Sequence, residues 1–169
     1  MSYKIALLHA LSGSDHFFPS STPPTAMATF TYDHSIQSPT STTSHIFGFS
    51  HNGKYLALGD MTTRRIYLLD IDKQEITCIP TITPPTSFAW NPVESRKFIV
   101  GFSDGTFASH SFSDTEVSKT RFDPLKDRGA IQSLALSRNG LTLAVAISHG
   151  DVYIFYRKAC AGMFFLSQR

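Results

Sequence analysis

Phe47-Gly48-Phe49-Ser50-His51-Asn52-Gly53-Lys54-Tyr55-Leu56-Ala57-Leu58-Gly59-Asp60 decides the reading of this chain, because the same pattern returns twice downstream. The second copy runs Phe88-Ala89-Trp90-Asn91-Pro92, then residues 93–97, then Phe98-Ile99-Val100-Gly101-Phe102-Ser103-Asp104-Gly105-Thr106. The third runs Leu134-Ala135-Leu136-Ser137-Arg138-Asn139-Gly140-Leu141-Thr142-Leu143-Ala144-Val145-Ala146-Ile147-Ser148-His149-Gly150. Each copy reads apolar, small, apolar, a polar turn, an apolar strand, a small residue, a turn and a second apolar strand. Their first residues, Phe47, Phe88 and Leu134, stand 41 and 46 residues apart. Self-similarity at that period marks a stack of similar units, each unable to bury its apolar face alone.

The pieces have a local logic. Phe47-Gly48-Phe49, Phe88-Ala89-Trp90 and Leu134-Ala135-Leu136 place two apolar side chains on one face of a strand and a small one on the other. The small residue suits close packing near a crowded central channel. Asn52-Gly53 and Asn139-Gly140 supply the positive φ of tight hairpin turns. Gly59, Gly101 and Ala146 recur at the end of the next strand, where a bulky Cβ would clash between units. Asp104-Gly105 and His149-Gly150 mark the following turn, and strands Arg65 to Asp70, Thr106 to Phe112 and Asp151 to Tyr156 come after it.

This pattern resembles the WD40 family. Ser50-x-x-Gly53-Lys54-Tyr55-Leu56-Ala57 and Ser137-x-x-Gly140-Leu141-Thr142-Leu143-Ala144 are similar to its S-x-D-G-K-x-L-A signature. Gly101-Phe102-Ser103-Asp104-Gly105-Thr106 is similar to its G-x-x-D-G-T turn, and Leu69-Asp70 stands where the family carries Trp-Asp. No Gly-His dipeptide precedes a first strand, and Ser111-Phe112 and Phe155-Tyr156 replace the other Trp-Asp pairs poorly, so the repeats are degenerate. The resemblance implies an all-β, partial WD40-like β-propeller of about three four-stranded blades with an irregular N-terminal segment. Blades are expected at about 45–80, 81–119 and 128–158. Residues 1–44 are expected to hold a possible strand and a Ser/Thr/Pro-rich loop, and 159–169 to form a tail or the truncated start of a further blade.

Propeller rings close with roughly four to eight blades. Three blades fall short, so the expectation is a fragment of a larger protein, open to self-association through an unpaired blade edge. Ala28, Phe30 and Tyr32 are candidates for one further strand from the N-terminal segment.

Composition agrees and excludes other classes. Fourteen Phe against one Trp, with many Ser and Thr, lean towards strands. The net charge of +2 and the absence of any Lys or Arg run longer than a pair such as Arg64-Arg65 argue against a nucleic-acid partner. No stretch reaches the roughly 18 to 20 apolar residues of a membrane span. Lys4 followed by residues 5–11 weakly imitates a signal peptide, but the apolar core is short and carries His9, and no Asn-x-Ser/Thr sequon is present. The expected reading is a strand or short helix packed on the domain. Cys78 and Cys160 lie 82 residues apart without a CxxC pairing, which favours two reduced thiols in a cytoplasmic protein over a disulfide or a reactive thiol. Ser38-Pro39 and Thr22-Pro23 are candidate proline-directed phosphorylation sites.

No catalytic constellation emerges. His45 and His51, with His9, His16, His34, His110 and His149, show no metal-ligand spacing, so neither metal nor cofactor is expected. Gly48-Phe49-Ser50-His51 places a Ser beside a His on opposite faces of a strand, and the repeat's turn accounts for both. The chain therefore reads as no enzyme, with partner-binding residues on loops. Arg64, Arg65, Arg96, Lys97 and Arg138 are the candidates, each a surface charge first and a contact second. The expected function is a scaffold binding protein partners. The order of a compact first repeat, a Trp90-Asn91 repeat with the insert Glu94-Ser95-Arg96-Lys97, and a third repeat is also similar to the N-terminal propeller of WD-repeat proteins with a Rab-GAP (TBC) domain. That likeness implies an alternative, the regulatory propeller of a multidomain enzyme.

Overall fold

A computed structural model describes residues 4–10, 30–37, 46–157 and 164–166. The chain divides into two compact units, Met1–Thr42 and Thr43–Arg169. In the first, strand β1 (Lys4–Ala10) pairs antiparallel with β2 (Phe30–Gln37), with a shift in register between Leu7 and Leu8. The apolar start of the chain is thus a strand. Phe30 and Tyr32, candidates for one more blade strand, instead lie in a two-stranded sheet of their own. Ala28, Cys160 and the dipeptides Ser38-Pro39 and Thr22-Pro23 lie outside the described residues.

The second unit is built from three antiparallel four-stranded sheets in sequence order. The first holds β3 (Ile46–Phe49), β4 (Tyr55–Asp60), β5 (Arg65–Asp70) and β6 (Glu75–Pro80). The second holds β7 (Pro85–Trp90), β8 (Lys97–Phe102), β9 (Phe107–Phe112) and β10 (Val117–Phe122). The third holds β11 (Ile131–Leu136), β12 (Thr142–Ile147), β13 (Val152–Arg157) and β14 (Phe164–Leu166). Each is a meander in which every strand pairs with the next, the arrangement of a propeller blade.

Three expectations change. The second sheet runs on to Phe122, past residue 119, because Arg121 and Phe122 still pair with Ala108 and Phe107. The third begins its first strand at Ile131, later than 128. Phe164–Leu166 does not start a further blade: it is the outer strand of the third, with Tyr156 opposite Phe165. A blade ending at 158 would hold three strands and leave the edge of β13 unpaired.

The strand registers align the blades with one another. Tyr55 faces Asp70, Lys97 faces Ser111 and Thr142 faces Tyr156. His110-Ser111, and not Ser111-Phe112, therefore stands where Leu69-Asp70 and Phe155-Tyr156 stand in the other blades.

The core lies between blades. One cluster joins Tyr55, Ile66, Leu68 and Ile79 of the first blade to Phe98, Val100, Phe102 and Ala108 of the second, with Phe88, Trp90 and Phe112 packed against it. The other joins Ala89, Ile99 and Phe107 of the second to Leu134, Leu143, Val145, Ile147 and Phe155 of the third, with Leu125 and Ile131. Each fully buried aromatic such as Phe98, Phe107 or Phe155 contributes roughly 2–3 kcal/mol of apolar burial.

At both junctions the first strand of one blade lies against the first two strands of the blade before it: β7 on β3 and β4, β11 on β7 and β8. The small residues are explained there. A Cβ on Gly59 would come within 2.5 Å of Ile46 and 3.0 Å of Phe88, and one on Gly101 within 2.5 Å of Ile131. Trp90 is partly buried against the first cluster, and its indole Nε1 donates to the carbonyl oxygen of Gly48 at 2.7 Å.

Candidate functional site

Loops collect at the two ends of the blades, and hydrogen bonds fix their shapes. At one end lie the turns between first and second strands. Ser50 is buried; its hydroxyl accepts from the Tyr55 amide at 2.9 Å and donates to Asn52 Oδ1 at 2.8 Å, and that oxygen also accepts from the Lys54 amide. Ser137, Asn139, Leu141 and Thr142 repeat the motif at 2.9, 2.7 and 3.1 Å. Only the glycines are left-handed here, Gly53 at φ 71° and Gly140 at φ 69°. The Asn residues act through their side chains, so these turns are not the mirror-image two-residue kind that Asn-Gly predicts. In the second blade Asn91 takes the serine's place, accepting from the amides of Val93 and Glu94 at 2.8 and 3.0 Å to shape a longer connection.

Arg96, Lys97 and Arg138 share this end. Arg96 bridges two blades: its Nε donates to the Tyr55 hydroxyl at 3.2 Å, its Nη2 lies 2.8 Å from Asp114, and its guanidinium sits 5.9 Å from the Tyr55 ring centre. The Tyr55 hydrogen bond, then Coulomb attraction from Tyr55 and Asp114, raises the Arg96 pKa further above its ordinary value. Lys73 reaches Asp114 at 3.8 Å and Asp70 at 4.0 Å. Lys97 pairs with Glu94 at 3.5 Å, and Arg157 reaches the same carboxylate from the third blade at 3.3 Å. Arg138 is exposed at its turn. These pairs lie largely in solvent, where each is worth at most about 1 kcal/mol.

Arg64 and Arg65 lie at the opposite end. Buried Asp60 accepts from the amides of Thr62 and Thr63 at 2.9 and 3.0 Å and from the Thr63 hydroxyl, which curls the turn so that Arg64 adopts φ 54°. The Arg64 carbonyl accepts from the Thr81 amide and hydroxyl, both at 2.9 Å. Its guanidinium points to Ile82 O at 3.4 Å, and Arg65 is exposed beside it. At the same end Asp104 binds the Thr106 hydroxyl at 2.7 Å and Arg121 at 2.9 Å. Partial burial pushes the Asp104 carboxyl up, but the Thr106 hydrogen bonds and Arg121 outweigh it and hold its pKa below the ordinary value. The five basic candidates thus form two groups at opposite ends rather than one patch.

A cleft of about 60 Å³ opens between the first two blades, lined by Tyr55, Leu68, Asp70, Lys73, Phe112 and Asp114. Drug-sized ligands occupy roughly 300–1,000 Å³, so this cleft admits little more than solvent or one side chain. Among the described residues, no group of three or more His, Cys, Asp or Glu side chains is placed to hold a metal ion. No helix among them is long and apolar enough to cross a membrane. Cys78 is exposed and free.

One buried group escaped sequence reading. His110 is fully buried and stacks on Phe98, with centroids 5.2 Å apart and planes 9° from parallel. Neither ring nitrogen has a hydrogen-bond partner. Burial, with a smaller push from the Lys119 ammonium, lowers its pKa from 6.5 to about 4. Only the register, which sets it level with Leu69 and Phe155, marks it as core.

No family model and no curated protein matches the chain. Solved structures do. A chain in the crystal structure of the mitotic checkpoint complex superposes with a TM-score of 0.59 at 18% identity, over 72% of this chain and 39% of that one. The β-propeller domain of Cps50 (Swd1) from Myceliophteria thermophila superposes with a TM-score of 0.58 at 15% identity, over 75% of this chain and 40% of that one. The protein spans about two fifths of the length of each. At such identity the likeness speaks for fold alone, and on that point it agrees with the three meander sheets: the second unit is an arc of WD40-like β-propeller blades.

Proposed function

We propose that the chain is a protein-interaction scaffold, the propeller portion of a larger assembly, working in the cytoplasm. The observation that carries this reading is the combination of a propeller arc with two loop-bearing ends whose backbones are held by side-chain hydrogen bonds. Rigid loops on a β scaffold present a fixed surface, which lowers the ordering cost of docking. An exposed free thiol at Cys78 supports a reducing compartment.

Arg65 and Arg138 are the basic residues we assign to partner contact, one at each end. Arg96 and Lys97 are already held by Asp114 and Glu94 and serve the arc itself. Quantitative affinity capture compares the wild-type protein with Arg65→Glu and Arg138→Glu. The expected result is a defined set of proteins, of which at least one is depleted about tenfold or more by one substitution and not by the other. Identical capture by all three proteins would refute the assignment of these residues, and capture no greater than an empty matrix would refute the scaffold.

A further inference from the structure

The seam where the first turn of the third blade meets the second blade carries two uncovered apolar side chains. A Cβ on Gly140 would lie 3.2 Å from the Asn91 side chain, so that turn rests on the long connection of the second blade. The matching turn of the first blade has no such neighbour, since a Cβ on Gly53 would meet nothing within 4 Å. Beside the contact, Val93 is 67% exposed and Leu141 46%. Arg157 of the third blade reaches Glu94 of the second across it at 3.3 Å.

Leu141 differs from its counterparts. Lys54, Arg96 and Leu141 share one level in the three blades, because the carbonyl of each accepts from an amide at the end of the third strand, that of Ile71, Phe112 and Arg157 in turn. The first two are cations, paired with Asp72 at 3.6 Å and Asp114 at 2.8 Å. The third is an apolar side chain left in water, and packing within its own blade does not account for it. Its backbone is fixed on both sides: Asn139 Oδ1 accepts from its amide at 3.1 Å, and its carbonyl accepts from the Arg157 amide at 2.8 Å. Asn91 Oδ1 holds the Val93 amide at 2.8 Å in the same way. Loops ordered in advance lose little freedom when a partner covers them.

The rim of this seam is cationic. Lys97 and Arg157 share the carboxylate of Glu94, which leaves one positive charge in excess. Arg138, in the same turn as Leu141, is exposed and enters no ion pair among the described residues. We propose that the seam docks an acidic peptide segment of a protein partner. One of its apolar side chains covers Val93 and Leu141, and its carboxylates meet Arg138 and the Arg157–Lys97 pair. This rests on the scaffold reading and gives the partner at the Arg138 end its chemistry. An anionic membrane is the poorer fit, because lipid-binding patches gather roughly four to eight cations, and this rim has only Arg138 and one shared charge in excess.

The test is selection from a phage-displayed library of random dodecapeptides on the full chain, followed by fluorescence anisotropy with the selected peptides. The enriched peptides are expected to carry two or more Asp or Glu around a Leu, Ile, Met or Phe. Their Kd should rise about tenfold with Arg138→Glu, with Val93→Ser/Leu141→Ser, and between about 50 and about 500 mM NaCl, where added salt screens exposed charge. Arg65→Glu, at the opposite end, should leave it unchanged. All the substituted positions are exposed, and far-UV circular dichroism checks that each variant folds. Enriched peptides without carboxylates, acidic peptides that bind every variant equally, or no enrichment at all would overturn the proposal. Sedimentation with phosphatidylserine vesicles that Arg138→Glu abolishes would assign the seam to a membrane and overturn it as well. The scaffold reading is judged separately by affinity capture: proteins captured through Arg65 alone would leave that reading intact while this seam fails.

Discussion

At His110 the side chain works against its surroundings. An imidazole buried beneath Phe98 with two unpartnered nitrogens costs roughly 1–3 kcal/mol relative to an apolar side chain of similar size. Its pKa near 4, against 6.5 in the unfolded chain, means that between those values the unfolded state holds more protons. Stability is therefore complete above pH 6.5 and declines as pH falls towards 4, by about 3 kcal/mol at the acid end. His110→Leu, which adopts the residue of the first blade, should raise the melting temperature at pH 7. It should also flatten the fall between pH 6.5 and 4.5; melting curves that decline in parallel for the two proteins would refute this. Glycines offer a second test at this scale. A Cβ on Gly105 would lie 2.2 Å from the Leu125 carbonyl oxygen, whereas one on Gly53 would meet nothing within 4 Å. Both are left-handed, at φ 80° and 71°. Gly53→Ala should cost only the left-handed strain, about 1–2 kcal/mol, and Gly105→Ala at least about 3 kcal/mol by urea denaturation. Glycine is legible in sequence at such positions because one physical need explains it. A core histidine is not, since nothing in the residue type separates it from a surface one.

At the element scale, what repeats visibly is what the backbone demands. The Ser-x-Asn-Gly turns combine a left-handed glycine with three side-chain hydrogen bonds, and few residue types serve. Ser50→Ala should cost about 1–2 kcal/mol, because it strips a buried amide at Tyr55 of its acceptor. Ser137→Ala should cost less, since that turn is more open to water; equal losses by urea denaturation would contradict this account. Outer strands leave a fainter trace. β6 buries Ile79 alone, and β10 exposes Ser118, Lys119 and Thr120, so neither shows the alternation that names a strand. That is why the second blade reads as ending near 119. The middle strands are plain because both faces meet apolar neighbours. Phe98→Ala, at the heart of the first junction, should cost about 3–5 kcal/mol.

Across the whole second unit, each blade depends on its neighbours, as in other repeat structures where stability is shared through nearest-neighbour interfaces. The sequence carries the number of blades it contains, through three copies of the strand pattern, two of them with the Ser-x-Asn-Gly turn. The junction geometry, in which one blade's first strand lies on two strands of the last, is not legible in the sequence, because small residues report crowding without saying what crowds them. The functional candidates were legible only as exposed charge. Their division between two ends follows from strand direction, and the commitment of Arg96 to Tyr55 and Asp114 from packing between blades. The central claim, three equivalent blades joined through shared cores, is tested most directly by amide hydrogen exchange followed along the full chain at pH 7. The account predicts three blocks of slow exchange over the middle strands, residues 55–70, 97–112 and 142–157, with faster exchange in the turns between them. Protection confined to one block, or slow exchange that ignores the repeat, would contradict it.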